Sequence, residues 1–167
     1  MPNATDFSAD LNPKLLADTC RVPGPPGHEQ RVRKFILEQV GQYADSYYED
    51  HFGNLVLVKK GASETPFMVA AHMDEIGFMV THVDENGFLK LTPLGGFDPK
   101  TLTSQRVIVH GKQDLPGVLG SKPIHLMDPE ERNKAPKLQD FFVDLGMPAE
   151  EVNQYIQAGD VVTRDRV

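Results

Sequence analysis

The chain has 167 residues, 40% of them hydrophobic, and a formal net charge of −7, which suits one full domain or two small ones. No apolar run approaches the roughly 20 residues of a membrane-spanning helix; the opening MPNATDFSAD lacks the regions of a secretory signal; and one cysteine, Cys20, rules out an internal disulfide framework and fits a reducing cytoplasm. The acidic balance speaks against nucleic acid as a partner, because the only basic run, Arg31 to Lys34, alternates with core positions of a helix.

Asn12-Pro13 opens a first helix, with Asn as N-cap and Pro at the first helical position, running to about Cys20. Cys20 reads as a small buried residue at its end. VPGPPGHE, Val22 to Glu29, is a stiff loop. A second helix starts near His28, where Val32, Phe35, Ile36, Val40 and Tyr43 recur at helical spacing. Strands are predicted over Tyr47 to Asp50, Asn54 to Lys60 and Phe67 to Ala71, and two helices followed by three strands look like the opening of an α/β domain.

Beyond Asp74 the texture turns all-β. Ile76 to Val83 and Phe88 to Thr92 flank a hairpin turn that ends in Asn86-Gly87. Further strands are predicted at Gln105 to Lys112, Gly117 to Gly120, Leu138 to Leu145 and Gly159 to Thr163. Ser121 to Lys137 reads as an exposed, mobile loop. Pro148 to Gln157 reads as a helix with Glu150 and Glu151 at the positive end of its dipole. Two modules result: 1–74, the start of an α/β domain, and 75–163, a compact β-rich domain, with 164–167 as the chain end.

His72 is the foremost candidate for chemistry. It follows the apolar run PFMVAA, and an imidazole held at a strand end is a common metal ligand. Asp74 shares its side-chain parity and could hold the ring in one tautomer. H-x-D is also a short and common string, and from spacing alone a structural histidine bonded to backbone is the favoured account of it. Glu75 is expected to face solvent. Glu130-Glu131 and Glu150-Glu151 read as a solvated loop and a helix start. His51, His82, His110 and His125 have no ligand spacing to one another and read as packed or surface residues. There is no G-x-S-x-G elbow, P-loop or G-x-G-x-x-G fingerprint.

The ordered series VPGPPGHE, HFGNLVLVKKG, VAAHMDEIGFMV, GVLGSKPIHL, FFVDLGMPAEEV and AGDVV resembles the metal-dependent aminopeptidases of metallopeptidase family forty-two. That family includes glutamyl, deblocking and tetrahedral aminopeptidases, and some members were labelled endoglucanases or cellulases. The match runs from about Leu11 to Val162. It implies the N-terminal part of an α/β catalytic domain, incomplete here, followed by an inserted β-barrel-like dimerisation domain. It also implies two divalent ions, zinc or cobalt, a peptide substrate, and homo-oligomers formed through residues 75–163. His72 matches the first histidine ligand, and Asp74 the acid that supports it. The family's bridging aspartate, adjacent glutamates, further acid ligand and last histidine have no counterpart here, and Asp165 in TRDRV lacks the bridging pattern.

A catalytic zinc normally takes three protein ligands and an open position. His72 and Asp74 supply at most two, so the chain alone is expected to hold at most one ion, weakly, and to be inactive as a peptidase. The rival reading is a non-catalytic self-association module built on residues 75–163. A glycosidase, suggested only by the old family label, needs two carboxylates across a sugar site, and no motif supplies them.

Overall fold

The structure, a computed structural model, describes residues 12–132, 134 and 136–165. The readings placed on Met1–Leu11, on the side chain of Glu131 and on the last two residues of the chain end lie outside them.

Helix α1 spans Pro13–Arg21, and the Asn12 side chain accepts a bond from the Leu15 amide at 3.0 Å, so the predicted cap is in place. Helix α2 spans Gln30–Val40 and buries Val32. Between them the proline-rich loop packs inward: Pro25 is fully buried. Gly24 must be glycine, since a Cβ there would stand 2.6 Å from Cγ1 of Val32. A two-stranded antiparallel hairpin follows, β1 (Ser46–Glu49) against β2 (Leu55–Val58). The Asp50 carboxylate closes its turn by accepting bonds from the amides of Phe52 and Asn54, both at 2.9 Å.

Phe67 to Ala71 is not a strand. The segment forms no ladder, and Phe67, Met68 and Val69 are 92%, 84% and 84% exposed. β propensity describes a side chain that suits a pleated, half-buried surface. Among the described residues β2 pairs with β1 alone, so no neighbouring strand turns that propensity into a ladder.

The remaining strands close into a barrel. They are β3 (Gly77–Val83), β4 (Leu89–Leu94), β5 (Arg106–His110), β6 (Asp114–Ser121), β7 (Phe141–Asp144) and β8 (Val161–Arg164). Their order around the barrel is β3-β4-β7-β6-β5-β8, and Phe78↔Val162 and Met79↔Val161 complete the ring. Closure leaves no strand edge open, so all six can be short. The β3–β4 turn has Gly87 at φ 91°, as the Asn-Gly signal requires. Inward positions alternate along β5, where Val107 and Val109 are fully buried between exposed or half-buried neighbours. They join Phe78, Val80, Leu89, Leu119, Phe141, Val143 and Val162 in one core, sealed by Leu102, Val152 and Ile156. Val152 belongs to α4 (Ala149–Tyr155), the predicted helix, which carries both glutamates in its first turn.

Three boundaries differ from the sequence reading. β6 begins at Asp114 and includes Pro116, which the turn signal Pro-Gly had excluded. Leu119 accepts from Ser104 and donates to Gln105, so its alternate positions face β5 and Pro116 faces β7. The β7 pairing reaches only to Val118, so the missing N–H of Pro116 interrupts no ladder bond. Leu138–Asp140 is a 3₁₀ turn, not strand, held by the Asp140 carboxylate on the Lys137 amide at 2.8 Å. The presumed loop at 121–137 contains a 3₁₀ turn, Ile124–Leu126, and the one-turn helix α3, Pro129–Arg132.

Candidate functional site

His72 and Asp74 lie where the segment after Phe67 to Ala71 approaches the barrel. Nδ1 of His72 is 3.0 Å from Oδ1 of Asp74, so the expected pairing is present although the strand is not. A carboxylate at Nδ1 stabilises the tautomer that carries its proton there and leaves Nε2 as the ligating nitrogen. The His72 side chain is 84% exposed, against 41% for Asp74.

The segment is fixed from below. The Glu75 amide donates to Gly24 O at 2.9 Å, which ties the residues after Asp74 to the proline-rich loop. Directly after it, Gly77 packs so closely that a Cβ would lie 2.8 Å from Val162 O and 3.0 Å from Pro25. Buried Pro25 and the barrel therefore define where the His72–Asp74 pair stands.

The pair borders a cleft of about 390 Å³. Val22, Val32, Ile36, Leu55 and Leu57 line it with apolar side chains, together with Ala71 to Glu75. Two expectations are corrected here. Glu75 lines the cleft and is half-buried because its backbone is held against the Gly24 loop. Cys20 is exposed, because α1 buries none of its residues and presents the thiol to the same cleft. Among the described residues no group of three or more His, Cys, Asp or Glu side chains converges so as to hold a metal.

The other candidates are placed apart from this pair. His51 is an exposed turn residue, His82 lies on the outer face of β3, and His125 is in the exposed 3₁₀ turn. Asp165, the residue after β8, pairs with Arg106 of β5 at 2.6 Å. The basic residues of α2 are engaged within the chain: Arg31 bonds Asp114, and Arg33 bonds Gly53 O and Glu49, both at 2.9 Å. His110, read as a packed or surface residue, joins Asp114 to Thr163, and Arg31 bonds the same Asp114 carboxylate. The signal that could have found it is the turn at Gly111 to Gln113, which sets His110 and Asp114 opposite each other.

Residues 53–167 match the M42 glutamyl aminopeptidase family. The chain belongs to that family. The lysyl aminopeptidase of Pyrococcus furiosus is 34% identical over 142 residues, which are 83% of this chain and 40% of the relative. A TET aminopeptidase from the marine sediment archaeon Thaumarchaeota archaeon SCGC AB-539-E09 superposes with a TM-score of 0.85 at 32% identity, covering 91% of this chain and 44% of that one. The TET1 peptidase of Pyrococcus horikoshii, which can assemble into a tetrahedron or a large octahedral shell, does so with a TM-score of 0.78 at 31% identity, over 92% and 46%. This M42 chain thus spans less than half the length of these relatives. With 91% and 92% of this chain covered at TM-scores of 0.85 and 0.78, its fold is similar to that of these two structures.

Proposed function

We propose that this M42 chain is the N-terminal portion of a metal-dependent aminopeptidase that removes N-terminal residues from peptides. One observation carries the reading: in a chain of this family, a largely exposed histidine lining a cleft has its Nδ1 engaged by a carboxylate, which leaves Nε2 as the nitrogen free to ligate. That donor set suits one position of a divalent metal site, zinc or cobalt, with His72 as ligand and Asp74 orienting it. Such ions supply Lewis acidity and an activated water when bound. This chain's part is to hold the ligating nitrogen in the right tautomer and to anchor it through Glu75, Gly24 and Pro25.

The division at residue 74 belongs to the same reading. Residues 1–74 would be the first part of an α/β catalytic domain. Their apolar surfaces, Phe67 to Val69 and the apolar lining of the cleft, are the faces onto which its other strands and helices would pack. Residues 75–163 would be the inserted barrel, through which copies associate in the cytoplasm, as assembly of the TET relative suggests. The second metal and the remaining ligands would come from the portion of an M42 protein that this chain does not span.

The barrel's own complete core favours a second reading, in which the chain serves only for self-association. Visible absorption of bound Co²⁺, measured on the chain and on His72→Ala, separates the two, alongside hydrolysis of chromogenic aminoacyl substrates. The aminopeptidase reading expects weak binding of one ion, lost in His72→Ala, and no turnover. Cobalt spectra identical in the two proteins would remove His72 from the site. Turnover by the chain alone would overturn the view that its site is partial.

A further inference from the structure

Four side chains from four elements meet where α2 touches the barrel. Arg31 of α2 donates to both carboxylate oxygens of Asp114, at 2.5 and 2.8 Å. Oδ1 of Asp114 is also 3.0 Å from Nδ1 of His110, and Nε2 of His110 is 2.9 Å from Oγ1 of Thr163. The His110 side chain is 8% exposed and Thr163 is 4% exposed, so the barrel end of this chain of contacts is fixed by burial. The assignment is self-consistent. A carboxylate only accepts, so Nδ1 of His110 carries the proton, and Nε2 accepts from the Thr163 hydroxyl. Arg31 is 3.3 Å from Nδ1, a donor facing a donor, and therefore directs both its bonds to Asp114.

The Arg31 and Asp114 side chains are 51% and 42% exposed, so their pair adds little to stability, ~1 kcal/mol or less. What a bidentate guanidinium–carboxylate pair supplies is orientation, because two parallel bonds fix a plane. Two residues along α2, Arg33 holds the β1–β2 hairpin through Gly53 O and Glu49. The helix is thus braced against the barrel on one side and the hairpin on the other. Between the two arginines Val32 lines the cleft, as do Ile36 one turn further on and His72.

We propose that Arg31 and Asp114, with His110 and Thr163 behind them, are positioning residues that set the angle of α2 to the barrel and so the width of the cleft beside His72. The functional meaning rests on the metal-site reading of His72; the geometry does not. Contacts between parts of a chain that are small and polar leave relative motion as the default, so removing the fork should release it.

The test uses the whole chain, metal-free, in a Cys20→Ser background with spin labels at Lys34→Cys on α2 and Glu85→Cys on the β3–β4 turn. Pulsed dipolar spectroscopy should give one narrow distance distribution. In Arg31→Met, and independently in Asp114→Asn, it should broaden roughly twofold, as expected for parts no longer held at one angle. The barrel should remain folded, its thermal midpoint falling by no more than the few degrees that ~1 kcal/mol corresponds to. The exchanged pair Arg31→Asp with Asp114→Arg should restore the narrow distribution. An unchanged distribution in both single variants overturns the proposal, and so does loss of the barrel fold in both, which would make the contact structural. Because no metal is present, neither result depends on whether His72 is a ligand.

Discussion

His72 and His110 have the same chemical neighbour, an aspartate oxygen 3.0 Å from Nδ1, and opposite surroundings. The His72 side chain is 84% exposed, whereas that of His110 is 8% exposed and commits Nε2 to Thr163. The first arrangement can bind something; the second can only hold the fold. The H-x-D pair was legible in the sequence because its members are two residues apart. The cluster around Asp114 was not, because Arg31 lies 83 residues before Asp114 and no periodicity reports so distant a contact. The cluster has a consequence in acid. Bonds from Arg31, and secondarily from His110, hold the Asp114 carboxyl down at about 2, against an ordinary 3.8. A depressed carboxylate stabilises the fold above its unfolded value and loses that contribution as pH falls toward the folded one. Asp114→Asn should therefore lack the part of the acid limb between about pH 4 and pH 2 that the native chain shows. The exposure of the side chain limits the difference to ~1 kcal/mol. Urea unfolding at a series of pH values checks this, and parallel loss of stability in both proteins across that window would refute it.

At the scale of elements, the alternation of apolar and polar residues found most of the barrel strands, and the Asn86-Gly87 turn found its first hairpin. The failures have one cause. Phe67 to Ala71 has the composition of a strand, and Leu138 to Asp140 continues one, yet pairing is a property of neighbours. Where the neighbour is supplied, even Pro116 is accommodated within β6; where none is described, Val69 remains 84% exposed. Substitution costs should follow that difference. Leu119 is 1% exposed inside the barrel, so Leu119→Ala should cost about 2–5 kcal/mol through lost burial and the cavity left behind. Val69→Thr should change stability by less than about 0.5 kcal/mol. Chemical denaturation of the two variants measures both. A cost at Val69 comparable with that at Leu119 would mean that its segment packs after all.

On the scale of the whole molecule, order is distributed unevenly. Twelve buried apolar residues form one core in and around the barrel, while before β3 the buried apolar side chains among the described residues are Pro25 and Val32. Backbone bonds survive where surrounding side chains exclude water, so local stability follows this division. The sequence changes texture near Asp74 but could not show how little of the first part would be buried, since burial depends on what packs against each apolar face. Amides of β5 and β8 should exchange only through global unfolding of the barrel. Those of β1, β2 and 66–75 should exchange far faster, apart from the Glu75 amide, which is bonded to Gly24 O. Hydrogen exchange read by mass spectrometry distinguishes these classes, and uniform protection across both parts would show that they unfold as one unit. The contrast matters because the candidate ligand His72 stands in the weakly supported part, one short step from a rigid barrel. Its position is inherited from Gly24, Pro25 and Gly77, whose close contacts transmit the barrel's order to it. The His72–Asp74 pair is thus tied to the barrel at its base, while the His72 side chain, 84% exposed, stays accessible.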